Sequence, residues 1–221
     1  MKFSKEGWLS YNLEVPDGGE YYFDYLLDTE KWPRSVYHAA KHRITAKLVL
    51  ELPVGSRILD AGCGVGNISG RYCDKYQVFG VDEQEKAIAY CRKHYKGKYV
   101  KANLYQRLPF ADGYFDLILF HDSIEHFIEP KKVLKQLARV LKKGGKIVVS
   151  TINYANPMWL LLENTWHRAV GGDCRTYSKE VHPTRYTDKL LRRHCGELLE
   201  EVELRKEMLW MELFFVGKRK K

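Results

Sequence analysis

The stretch Ile58-Leu59-Asp60-Ala61-Gly62-Cys63-Gly64-Val65-Gly66-Asn67 decides how this chain folds. Residues 57–60 form a short apolar run that reads as a strand, and glycines at every second position follow it. Glycine adopts positive φ without a Cβ clash and lets a backbone come close to a ligand. A strand that feeds Gly62, Gly64 and Gly66 therefore leaves the sheet through a tight, open turn. The pattern predicts a helix after the turn, through about residue 75. Its N-terminus would offer unpaired N–H groups and a partial positive charge to an anion.

Working outward, strand-like and helix-like segments alternate. Residues 77–81 read as a strand, 84–95 as a helix, 98–101 as a strand and 115–120 as a strand apolar enough to be buried on both faces. A helix over 129–141 stops at Gly144-Gly145, and 146–150 is a fifth strand. Repeated β-α units imply a parallel sheet covered by helices on both sides. Upstream, Val36, Ala40, Ile44 and Leu48 recur every four residues in an amphipathic helix that Pro53 and Gly55 end. Residues 152–186 break the rhythm with a polar, aromatic insertion, the length of a lid or binding loop. A helix over 188–195 and strand-like runs 198–204 and 208–216 complete the sheet.

The 221 residues suit one core and one domain. Hydrophobic residues make up 45%, which excludes wholesale disorder. Lys and Arg outnumber Asp and Glu by 37 to 28, a net charge of +9, and Lys218, Arg219, Lys220 and Lys221 form a basic tail. That balance suits an anionic partner or a solvated surface. Five cysteines (Cys63, Cys73, Cys91, Cys174, Cys195) are widely spaced, with no C-x-x-C pair. The expectation is a reducing, cytoplasmic setting with no disulfide framework and no metal. The first residues lack a leader's apolar run, and no apolar stretch reaches the roughly 20 residues of a bilayer span.

Glycine turns of this kind serve dinucleotides or S-adenosylmethionine. The dinucleotide pattern wants a small residue three beyond its second glycine, and here that position is Asn67. An acidic residue, Asp60, precedes the turn. D-x-G-x-G-x-G resembles the first motif of class I S-adenosylmethionine-dependent methyltransferases. Val78-Phe79-Gly80-Val81-Asp82 ends on a carboxylate able to accept both ribose hydroxyls. Asn103-Leu104, Gly113-Tyr114-Phe115-Asp116 and Leu137-Ala138-Arg139-Val140-Leu141-Lys142-Lys143-Gly144-Gly145 extend the resemblance to about residue 152. Glu125-His126 brings it closest to the ubiquinone-biosynthesis-like group.

This resemblance implies a Rossmann-like, doubly wound seven-stranded sheet, mostly parallel with an antiparallel last strand. It implies a single domain over 1–221, with an N-terminal arm and helix over 1–50 and a substrate lid over 152–186. It also implies S-adenosyl-L-methionine as cofactor. The residues carried over to it are Asp60, Gly62, Cys63, Gly64, Gly66 and Asn67 at the turn, Asp82 and Glu83 at the ribose, Asn103 and Leu104 at adenine, and His121. Family members often carry Asp where Asn103 stands; an amide, as donor and acceptor, still serves a base edge. Tyr37, His38 and the aromatic arm before them are expected to close over the cofactor.

Methyl transfer from a sulfonium needs an in-line acceptor and, for O–H or N–H acceptors, a base. Reacting groups gather at the carboxyl ends of parallel strands, which makes His126, His121 and His182 the catalytic candidates. Trp159 to Leu162 and Trp166 line an apolar acceptor pocket or cover the core as an ordinary helix. The leading acceptor class is a small or lipid-like molecule. RNA or protein is the alternative motivated by charge, although no N-P-P-Y-type segment follows the fourth strand. A binding module without catalysis is a third reading, and a nicotinamide dehydrogenase a distant fourth.

Overall fold

A computed structural model describes residues 34–165 and 182–220. The elements are α1 (Arg34–Leu50), β1 (Arg57–Ala61), β2 (Gln77–Asp82), α2 (Glu85–His94), β3 (Lys98–Lys101), β4 (Phe115–Phe120), α3 (Pro130–Val140), β5 (Leu141–Ile152), α4 (Pro157–Asn164), α5 (Asp188–Gly196), β6 (Leu199–Glu207) and β7 (Glu212–Arg219). The seven strands lie in the order β3-β2-β1-β4-β5-β7-β6. All neighbours from β3 to β5 are parallel, and β7 runs antiparallel to both β5 and β6. The expected α/β sheet with its antiparallel last strand is what forms.

Alternation along each strand divides the core. Leu117 and Leu119 of β4, with Val148 and Phe214, meet Ile44, Leu48 and Val49 of α1 on one face. Ile118 and Phe120, with Val149 and Phe215, meet Leu134 and Leu137 of α3 and Leu191 of α5 on the other. Strand order reverses direction between β1 and β4, so their carboxyl ends flank a crevice beside the glycine turn. Such switch points are where open α/β sheets place ligands.

Two expectations are corrected. No α-helix follows the glycine turn. Residues 67–76 run through successive turns with one 3₁₀ turn at Gly70–Tyr72. Glycine costs a helix about 1 kcal/mol relative to alanine, and Gly70 lies under the Tyr95 ring, where an added Cβ would sit 2.4 Å from its carbons. Without a regular helix after the turn, the helix-dipole argument does not apply.

The last strand also starts later than residue 208. Met208, Leu209 and Trp210 have φ of +50°, +53° and +67° and form the β6–β7 turn. Its carbonyls are held from the side: Asn156 Nδ2 donates to Leu209 O, Asn153 Nδ2 to Trp210 O and Trp159 Nε1 to Met211 O. These bonds over-determine a left-handed run that three non-glycine residues would otherwise avoid.

Trp159 is buried against Ile152 and Met211, so it covers the core rather than lining a pocket. Much of the expected lid lies outside the described residues, including Trp166, as do the arm before Arg34 and the side chains of Tyr37 and His38. No helix among the described residues is long and apolar enough to cross a membrane.

Candidate active site

The glycine turn is built from backbone. Gly62, Gly64 and Gly66 have φ of +70°, +50° and +71°. The Gly62 and Cys63 N–H groups both donate to Val81 O, tying the turn to the end of β2. A Cβ on Gly62 would lie 2.5 Å from Ser123 Oγ, whereas one on Gly64 would meet nothing within 4 Å. The first glycine is required by contact with the turn after β4; the second leaves open space.

Asp82 closes the turn from the other side. Its Oδ2 accepts from Gly64 N–H and its Oδ1 from Gln84 N–H, both at 2.9 Å. A carboxylate has about four acceptor sites, so acceptor capacity remains for a hydroxyl. Asp60 is fully enclosed beneath the turn, and burial pushes its carboxyl up to about 7. Cys63 donates to Gly64 O from the buried side. Asn67 is half-buried, and its carbonyl accepts from Arg71. Glu83 is exposed, and the exposed Asn103 uses its Oδ1 to accept from Tyr105 N–H. Leu104 packs in the main core, which leaves its backbone for any ligand.

The strand exits on the other side of the crevice carry a buried polar circuit. His121 Nε2 lies 2.9 Å from Thr45 Oγ1, and its Nδ1 lies 3.0 Å from Ser150 Oγ. Ser150 Oγ–H donates to Asp122 Oδ1 at 2.9 Å, and Lys41 pairs with Asp122 Oδ2. With the Ser150 proton directed at Asp122, His121 must donate through Nδ1 and accept at Nε2. Burial, with Lys41 adding to it, drives the His121 pKa down to about 3, so the ring is neutral. Burial would raise Asp122, but Lys41 outweighs it and holds the carboxyl at about 2. Asp122 has φ of +42°.

Beyond that turn a 3₁₀ segment, Ile124–His126, carries the Glu-His pair. Glu125 is buried and accepts from Thr151 Oγ1 at 2.9 Å; burial, reinforced by Asp122, pushes it up to about 8. Residues 182–186 fold back across these exits, with Thr184 donating to the Glu125 and Phe127 carbonyls. His182 is thereby set edge-on to His126 with ring centroids 4.6 Å apart, and its Nδ1 lies 2.7 Å from Tyr154 Oη. Burial, with His126 beside it, keeps His182 well below its ordinary value. Glu125, His126 and His182 each bring one ligand atom within 4.8 Å of the others. Two imidazoles and a carboxylate are a donor set that suits a divalent cation, although the sequence reading assigns no metal.

The structure thus sets His126 against His182, while His121 is held apart in the circuit with Thr45 and Ser150. Sequence reasoning missed Lys41, Thr45 and Glu212. Lys41 and Thr45 are one helical turn apart on α1, so a lysine at core-facing spacing was their available signal. Glu212 is fully buried beside Asp122 and Lys41, and no local pattern marks it.

Residues 59–149, from β1 through β5, match the model of the family described as "Methyltransferase domain". Over that stretch the chain is similar to class I S-adenosylmethionine-dependent methyltransferases. It is 34% identical over 113 residues to a ubiquinone biosynthesis O-methyltransferase of Idiomarina loihiensis, covering 48% of this chain and 46% of that protein. It is 27% identical over 170 residues to a demethylmenaquinone methyltransferase of Thermotoga maritima, covering 72% and 68%. The chain spans about half the length of the first of these relatives. In fold it is similar to the magnesium protoporphyrin IX methyltransferase of Synechocystis, with a TM-score of 0.68 at 16% identity over 99% of this chain and 96% of that one. S-adenosyl-L-methionine is the cofactor of such methyltransferases, and the turn suits it: bare backbone at Gly62 faces the β4 exit, and Asp82 keeps acceptor capacity.

Proposed function

We propose that this chain transfers the methyl group of S-adenosylmethionine to a small acceptor of the quinone or lipid-like class. The observation that carries the reading is the meeting of two walls. The glycine turn clamped by Asp82 touches the β4 exit turn at Gly62–Ser123, and the imidazoles stand just beyond. The relatives named for ubiquinone and menaquinone chemistry support the acceptor class.

The bound cofactor supplies an electrophilic methyl on a sulfonium, so this chain has to bind, orient and deprotonate. The open glycine turn would hold the amino-acid end, with Asp60 beneath it. Asp82, beside Glu83, takes the ribose hydroxyls, and the Asn103 amide with the Leu104 backbone takes the base edge. His121, fixed at both nitrogens, is a wall rather than a base. His126 accepts the acceptor's proton, and His182, neutral and held at Nδ1 by Tyr154, stands edge-on to it. Orientation accounts for most of the rate in a displacement of this kind.

Titration calorimetry tests the site. Wild-type chain binds S-adenosylmethionine and its demethylated product at micromolar levels, and Asp82→Ala weakens both at least 100-fold. Absence of wild-type binding, or an unaltered variant, removes the reading. Turnover across a panel of phenolic and quinol acceptors then separates an enzyme from a binding module.

A further inference from the structure

Helix α1 already docks through an apolar stripe, Ala40, Ile44, Leu48 and Val49. Yet two polar residues one turn apart, Lys41 and Thr45, are buried on it at 4% and 0% exposure. Burying them is not explained by docking, because replacing a buried ion pair by apolar groups is often neutral or stabilising. Their partners are consecutive residues of the β4 exit. Thr45 meets His121, Lys41 meets Asp122, and Ser150 of β5 bridges the two.

The residue so held is strained. Asp122 at φ +42° lies in the left-handed region that residues with a Cβ rarely adopt. Its N–H donates to Ser150 O, and Ser123 Oγ–H donates to His121 O. Ser123 is also the residue against which Gly62 packs. A chain of contact therefore runs from α1 through Asp122 and Ser123 to the first glycine of the cofactor turn.

We propose that Lys41, assisted by Thr45, is a positioning residue that holds the left-handed β4 exit turn against Gly62 and so sets one wall of the cofactor site. This rests on the cofactor reading above. Besides Asp122, the acidic groups facing Lys41 are Glu212 of β7 and Glu125. Removing the lysine alone leaves the buried Asp122 carboxylate without its cation, which confounds a single substitution. The pairwise variant Lys41→Met with Asp122→Asn removes both charges, and asparagine tolerates left-handed backbone.

The experiment compares wild type, Lys41→Arg, Lys41→Met and the double variant by thermal unfolding and by calorimetry with S-adenosylhomocysteine. A positioning role separates the two readouts. The double variant recovers the stability lost in Lys41→Met but binds more than fivefold weaker than wild type, while Lys41→Arg stays within fivefold. If the folded double variant binds within fivefold of wild type, Lys41 serves only the fold and the proposal is overturned. Should Lys41→Met not fold, the double variant and Lys41→Arg still decide. A wild-type chain that binds no S-adenosylhomocysteine would instead sink the reading of the site on which the proposal stands.

Discussion

The two walls of the crevice are made in opposite ways. The wall at β1 and β2 is local: glycines 62–66 and Asp82 lie within about twenty residues, and their contacts are mainly backbone to carboxylate. The wall at β4, β5 and β7 is assembled from Lys41, Thr45, His121, Asp122, Ser150 and Glu212, spread over most of the chain. The local wall depends on conformations that only glycine adopts cheaply. The assembled wall depends on buried charges that neutralise one another, so it answers to pH and to remote substitutions.

Gly62→Val breaks the local wall most severely. A β-branched residue at φ +70° whose Cβ would sit 2.5 Å from Ser123 Oγ adds backbone strain to overpacking, a cost of about 3 kcal/mol or more. Cofactor binding is lost, and thermal unfolding reports the destabilisation; wild-type affinity in this variant would show that the turn is not the site.

The assembled wall is sharpened by pH. Burial raises the carboxyls of Asp60 to about 7 and Glu125 to about 8, and raises Glu212 well above its ordinary value. Between their ordinary and folded values the native state holds protons that the unfolded state has released. Stability therefore falls as pH rises through that window. His121 and His42, lowered to about 3 and about 4, do the opposite, but only below 6.5. From pH 6.5 to 8 the carboxyls act alone, and each proton held contributes a loss of about 1.4 kcal/mol per pH unit. Chemical denaturation across this range shows falling stability, and Glu212→Gln, which has no proton to release, flattens the fall. An equal slope in both proteins would place Glu212 outside the effect.

Gly64→Ala is the mildest change. Its φ of +50° strains any Cβ, but nothing lies within 4 Å, so the cost is about 1 kcal/mol and cofactor affinity drops only modestly. A loss as large as that of Gly62→Val would erase the distinction between a glycine needed for contact and one needed for conformation.

Legibility follows the same division. The β-α alternation and the Asp82 carboxylate were readable because strand burial and glycine turns are properties of neighbouring residues. The helix expected after the turn was not formed; residues 67–76 run through turns in which Gly70 packs under Tyr95, a residue 25 positions away. Met208 to Trp210 read as strand on apolarity alone, while side chains of Asn153, Asn156 and Trp159 hold them as a turn. His126 and His182 were each visible as candidates, but their edge-on meeting depends on residues 182–186 folding back over Glu125.

From the amino-acid order alone come the parallel sheet, the open glycine turn and the carboxylate one strand away, because each is set by local periodicity and backbone freedom. Tertiary structure alone decides that Lys41 neutralises Asp122, that Glu125 and Glu212 keep their protons and that His121 and His182 stay neutral. Those states depend on burial and on charges brought together across the chain, and no short stretch of sequence carries either.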